Sequence, residues 1–124
     1  MAVVKALVFY DDTKRVEQVR ATDSVAPAGS GITRSITNIS ANTTAGATVA
    51  TDYVYFCSGT ITLTLPTAVG NTNCYTLKNV GSGTISIATT ASQTIDASTV
   101  PIIIVSKDSP SIDLISNGSN WFII

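Results

Sequence analysis

The chain has 124 residues and a mass of 12.9 kDa, which fits one small domain. Charged residues make up only 12% of it and the net charge is -1, which argues against nucleic-acid binding because that needs a basic surface. The chain has no histidine, so it lacks the usual general base and nucleophile pairs; we expect no enzyme, no cofactor and no metal site.

The densest charge lies in residues 3–20. The β-branched and aromatic run at 3–10 predicts a strand, Asp11-Asp12-Thr13 a polar turn, and residues 14–20 the return strand of an N-terminal β-hairpin. A short helix over 14–20 is the alternative, since Val16 and Val19 lie three residues apart. Residues 21–50 are rich in Ala, Thr, Ser and Gly. They read as an extended connector, unless residues 33–39 form a strand.

The clearest pattern begins after residue 50. Residues 60–65 alternate, so that Ile61, Leu63 and Leu65 face one side and three threonines the other. Shorter segments of the same kind follow at 75–78, 84–87, 111–114 and 121–124, separated by turn signals that include a hairpin turn at 81–83. The spacing predicts an all-β fold: a small antiparallel sandwich or barrel-like domain over residues 51–124.

Two features of this domain favour association. Threonine-rich outer faces are poor at preventing contact between sheets, a task that charge usually performs. The run Ile102-Ile103-Ile104-Val105 is apolar on both faces and needs cover on both. Either the strand is central in a sandwich, or a neighbouring subunit supplies the second cover.

The apolar runs are far shorter than the roughly 20 residues that a bilayer span needs, so we expect no membrane insertion. The start of the chain lacks the basic segment of a signal peptide, and Asp11-Asp12 follow closely. Folding in a cytosol is therefore expected, with Cys57 and Cys74 as free, small apolar side chains. A disulfide or a reactive thiol is the alternative.

From residue 52 onward the chain resembles a β module found at the C-terminal end of tailed-bacteriophage fibre and appendage proteins, such as tail fibres, head fibres and capsid decoration proteins. The resemblance rests on an ordered set of motifs: DYVYF (52–56), GTITLTLPTA (59–68), GN (70–71), YTLKNVGSGTI (75–85), QTID (93–96) and SNGSNW (116–121). The chain departs from the family pattern at Ala97, where glycine is common, and in the apolar run at 102–105.

This resemblance implies a non-enzymatic virion structural protein, folded in the host cytoplasm and carried on the virion surface as a homotrimer. Its partners would be further copies of itself and a capsid or tail protein of the same virion. The N-terminal region would provide attachment, and its candidate contacts are Lys5, Lys14, Arg15, Glu17 and Arg20. The alternative for these charges is a solvated hairpin packed on its own trimer.

A carbohydrate-binding adhesin that recognises host cell-surface glycans is the second functional hypothesis. Its candidate glycan contacts are Trp121, Asn117 and Asn120, because an exposed indole ring can stack on a sugar. The alternative for Trp121 is core packing, which is the more common environment of tryptophan. Tyr53, Tyr55 and Tyr75 lie on predicted strands and are expected to fill the core.

Overall fold

A computed structural model of the chain describes residues 31–124, which contain nine β-strands and no helix. The strands are β1 (Thr33–Ile39), β2 (Thr43–Thr44), β3 (Thr51–Cys57), β4 (Ile61–Thr64), β5 (Cys74–Asn79), β6 (Ile85–Ala88), β7 (Ile102–Ile104), β8 (Ile112–Ser116) and β9 (Trp121–Ile123). The all-β prediction is thus confirmed. The predicted N-terminal hairpin lies outside the described residues.

The strands form two sheets. Sheet A has the order β9-β8-β5-β3-β1 and sheet B the order β2-β4-β6-β7. Strands β1, β3 and β5 are parallel in sheet A, as are β2, β4 and β6 in sheet B, whereas β7, β8 and β9 pair in antiparallel fashion. The prediction of antiparallel sheets was therefore wrong, because both sheets are mixed. Neither sheet closes into a barrel.

The parallel pairing follows from the path of the chain. Strands β1 to β6 alternate between the sheets, so neighbours in one sheet are separated by a strand of the other and run in the same direction. Thr33 aligns with Thr51, and Tyr53 with Tyr75, so each coil takes about 20 residues, as in solenoid repeats. The turn at 81–83 joins sheet A to sheet B and is not the predicted hairpin turn.

The core lies between the inner faces of the sheets. The inward residues of β3, β4, β5 and β6 alternate with half-buried outward residues, as period-two patterning requires. The rings of Tyr53, Tyr55 and Tyr75 stack, and Trp121 meets Tyr75 edge to face with ring centroids 5.2 Å apart. The prediction that these tyrosines fill the core is confirmed.

The first coil, which contains β1 and β2, lies at one end of the two sheets. The alternative of a strand over residues 33–39 is confirmed as β1. Within residues 31–124, β1 is the edge strand of sheet A at this end, and the short β2 is the edge strand of sheet B. At the other end, residues 94–96 lie against β9: the Trp121 amide donates to the Thr94 carbonyl and the Asp96 amide to the Trp121 carbonyl. Residues 31–124 contain no helix with the length and hydrophobicity needed to cross a membrane.

Candidate functional site

The outer face of sheet A carries two groups of apolar side chains, separated by the outward residues of β5. The register places the outward side chains of β1, β3, β8 and β9 on it, and its apolar members are Ile36, Val54, Phe56, Ile115 and Phe122. Ile36 is 63% exposed and Phe122 37% exposed, while the other three are half-buried. We call these five residues the apolar face. Apolar side chains on a water-facing sheet surface are typical of a contact surface.

The charges on this face balance in sign. Arg34 and Asp52 are register partners on β1 and β3. The Thr76 hydroxyl donates to the Asp113 carboxylate at 2.7 Å. Lys78 donates to the carbonyls of Lys107 and Ser109 and so holds the turn before β8. Two cations and two carboxylates on one face leave no net charge to repel a second copy.

The outer face of sheet B has a different composition. Its outward residues on β2, β4 and β6 are threonine, serine and alanine. A shallow groove of about 370 Å³ lies on this side, lined by Asn42, Thr43, Thr44, Thr62 and Thr64. The Asn42 side-chain oxygen accepts from the Thr62 amide at 2.9 Å, which fixes the amide group in the groove. Its lining is hydroxyl and amide, with no charge.

Within residues 31–124, β7 is the edge strand of sheet B, so the interpretation of residues 102–105 as a central strand was wrong. Ile104 is buried and Ile102 packs against the core, whereas Ile103 is 51% and Val105 61% exposed. The inner side of the strand is therefore covered and its outer side is not. Whether a neighbouring subunit provides that second cover stays a prediction.

The buried tyrosines fix a loop. Tyr55 Oη accepts from the Gly46 amide at 2.8 Å and Tyr75 Oη donates to the Gly46 carbonyl at 2.6 Å. Tyr53 Oη accepts from the Thr48 amide. Burial raises the pKa of Tyr55 and of Tyr75, so these hydroxyls stay protonated at neutral pH. Their role in this arrangement is structural.

The two thiols lie in surroundings that disfavour the thiolate form. Both are free; Cys57 is buried and Cys74 is half-buried. Burial raises the pKa of Cys57 to about 11, and it also raises that of Cys74, where Asp113 and Asp52 add to the shift. A thiol with a raised pKa is a poor nucleophile at neutral pH. Within residues 31–124 no group of three or more His, Cys, Asp or Glu side chains is placed to hold a metal ion.

The sequence-predicted glycan residues lie together at the turn that leads into β9, but they differ in exposure. Trp121 is fully buried, so its ring offers no face to a sugar and the core-packing alternative is the one found. Asn117 is exposed and Asn120 half-buried, but their side-chain oxygens are used within the fold. Asn117 Oδ1 accepts from the amides of Ser119 and Asn120, and Asn120 Oδ1 accepts from that of Thr94.

The predicted attachment residues Lys5, Lys14, Arg15, Glu17 and Arg20 lie outside the described residues. Sequence reasoning did not identify the apolar face or the groove. Their signals were the isoleucine at position 36, amid polar residues of the supposed connector, and the asparagine at position 42 beside two threonines.

Comparisons with family models, curated proteins and solved structures gave no match to this chain.

Proposed function

We propose that the chain is a non-enzymatic structural protein of a tailed-bacteriophage virion: a short homotrimeric surface fibre, spike or capsid decoration protein. The N-terminal region would attach it to a capsid or tail protein. The C-terminal β unit would form the exposed head. The motif resemblance supplies the family expectation, and the physical support comes from the surface of the β unit.

The apolar face is the observation that carries this proposal. Five apolar side chains share the outer surface of sheet A, whereas the outward residues of β2, β4 and β6 on sheet B are threonine, serine and alanine, with the exposed Ile103 of β7 beside them. One sandwich with two such different outer faces is typical of a subunit that covers one of them in an assembly. The small size of the chain adds weight, because a domain of this length is marginal alone and an interface stabilises it.

The described chemistry agrees with a structural role. The hydroxyls of Tyr53, Tyr55 and Tyr75 hold a loop, and the pKa values of Cys57 and Cys74 are raised. The tyrosine hydroxyls are thus occupied by the fold, and the two thiols are poor nucleophiles at neutral pH.

Purified virions provide the direct test. We expect the chain to be found in them by mass spectrometry, and labelled antibody to decorate the particle surface. If virions produced in a host that expresses the chain do not contain it, the proposal is contradicted.

The attachment residues have a test of their own. Lys14→Glu with Arg15→Glu is expected to reduce binding to particles that lack the protein at least tenfold while the solution mass stays trimeric. Lys107→Glu is the matched control, because Lys107 is an exposed cation that pairs only with the adjacent Asp108 among the described residues. Equal binding by all three proteins would place the attachment elsewhere.

A second candidate function, a carbohydrate-binding adhesin for host cell-surface glycans, is favoured by the groove on sheet B. Its uncharged hydroxyl and amide lining suits a neutral sugar. Thr62→Val with Thr64→Val is expected to abolish binding on a glycan array, whereas the control Thr99→Val, at an exposed threonine away from the groove, keeps it. No binding by the native chain to a broad array would contradict this candidate.

A further inference from the structure

We infer that the exposed edge of β7 pairs with β1 of a second copy of the chain, with Ile103 opposite Ile36 in an antiparallel ladder. This inference rests on the proposed homotrimer, and it names the strands that join the copies. The two strands are edge strands of different sheets and lie at opposite ends of the sandwich.

The hydrogen bonds of β6 show which backbone groups of β7 are available. The Thr84 carbonyl accepts from the Ile61 amide, and the Ala88 carbonyl accepts from the Leu65 amide. The even-numbered residues along β6 therefore point their backbone groups toward β4. The odd-numbered residues Ile85 and Ile87 therefore face β7, where their register partners are Ile104 and Ile102. The amide and carbonyl of Ile103 point away from the sheet, toward its open edge.

The side chains on this edge do nothing to prevent pairing. Ile103 is 51%, Val105 61% and Val100 68% exposed, and residues 97–106 contain no charge. Edge strands in monomeric proteins usually carry a charge, a bulge or a covering loop, because an open hydrophobic edge recruits another strand. Pro101 lies before β7 and restricts pairing only at its own position.

β1 offers a complementary edge. The Thr33 amide donates to the Ala50 carbonyl, and the Ile39 carbonyl accepts from the Ser58 amide. The odd-numbered residues of β1 thus point toward β3, and the backbone groups of Arg34, Ile36 and Asn38 point the other way. Among the described residues no strand pairs with that side of β1. Ile36 is 63% exposed, like the isoleucine it would meet.

The two edges fit a ring of copies. Two different edges make a heterologous contact, which closes into a ring when the rotation between copies permits it. A threefold ring would use both edges of every copy. β1 has seven residues, while β2, the other edge strand at that end, has two and offers far fewer backbone groups. Aligning the outward groups of Ile103 with those of Ile36 lets the two residues exchange both hydrogen bonds.

Engineered cysteines test this pairing. Residues in such a pair have Cα atoms about 5.5 Å apart, which a disulfide can bridge. We expect the full chain with Ile103→Cys and Ile36→Cys to form covalent dimers and trimers on oxidation, read as masses in denaturant without reductant. Each single variant should stay monomeric in denaturant, since Cys57 is buried and Cys74 half-buried.

Cross-linked dimers from Ile103→Cys alone would show β7 pairing with itself and overturn the inference. So would a bridge within one chain, or no bridge in the double variant.

Charge at the edge gives an independent measurement. Ile103→Lys is expected to lower the trimer fraction at least tenfold in native mass measurements, while Val49→Lys, the same kind of change at a valine 76% exposed in a loop, leaves it unchanged. A native trimer that persists in Ile103→Lys would overturn the edge pairing and leave the proposed trimer standing. A monomeric native chain would overturn both.

Discussion

At the residue scale, Ala97 carries backbone strain. Its φ of 68° lies in the left-handed region, where side chains with a Cβ are disfavoured, and Asp96 beside it has a φ of 49°. The Asp96 carboxylate accepts from the Ile123 amide at 3.1 Å, so this turn helps to hold the last strand. Ala97 is also the position at which the resembled family commonly has glycine, and the backbone gives the physical reason.

Ala97→Gly is therefore expected to stabilise the chain by about 0.5–1 kcal/mol, because glycine adopts a positive φ without strain and loses only part of that gain to unfolded-state entropy. Ala47→Gly is the matched control, since Ala47 is exposed and does not have a positive φ, and it should be neutral or destabilising. Urea unfolding measures both. A destabilised Ala97→Gly variant would contradict the strain argument.

The buried thiol and phenols predict a response to alkali. Burial raises the pKa of Cys57 from 9.0 to about 11 and also raises that of Tyr55 and of Tyr75. A group whose pKa is higher in the folded state contributes its full stabilisation below the unfolded pKa and loses it as the pH rises through the folded pKa. Stability should therefore fall from about pH 9 upward.

The urea midpoint measured across this range is the test, with Cys57→Val as the comparison. The variant should decline less steeply because it lacks one of the titrating groups. A midpoint for the native chain that stays constant to about pH 11 would contradict the assignment of these groups to the interior.

At the element scale, Asn79 joins three parts of the fold. Its side chain is fully buried at the end of β5. Nδ2 donates to the carbonyls of Gly83 and Ile104, and Oδ1 accepts from the Gly81 amide. One amide thus connects β5, the turn from sheet A to sheet B, and the edge strand β7.

Asn79→Ala would leave these three backbone groups without their partner, and a buried group left unpaired costs about 1–3 kcal/mol. We expect a loss of about 2–4 kcal/mol in the free energy of unfolding, with the fastest gain in amide exchange around β7. Asn38→Ala, at an exposed position of β1, should change stability by less than about 0.5 kcal/mol. Similar stability of both variants would contradict the role given to Asn79.

Most of the strands could be predicted from the sequence. Alternation identified β4, β5, β6 and β8 and the side of each that faces the core, because period-two patterning records burial directly, whereas β9 was predicted only as an apolar segment after a turn. It does not record which strand lies alongside. The predicted turn at 81–83 therefore had the right position and the wrong consequence, since a short turn can join two sheets as well as two neighbouring strands.

The candidate site was harder to predict from the sequence. Trp121 has the residue type of a sugar platform, but its position opposite Tyr75 in the core depends on contacts between strands far apart in sequence. The apolar face depends on the register between β1 and β3, which brings Ile36 beside Val54. Neither residue alone signals a surface.

At the scale of the whole molecule, residues 31–124 leave apolar surface exposed, and the proposed trimer would cover it. The apolar face and the β7 edge lie on different sheets, so a single flat contact between two copies would not cover both. A ring in which each copy contacts two others provides two separate contacts. An obligate interface of this kind buries on the order of 2,000 Å² or more.

The native mass of the whole 124-residue chain in solution, followed to high dilution, shows whether copies must associate to cover this surface. We expect a species of three times the 12.9 kDa chain mass that dissociates only with loss of folded structure. A folded, monodisperse single chain of 12.9 kDa would contradict it.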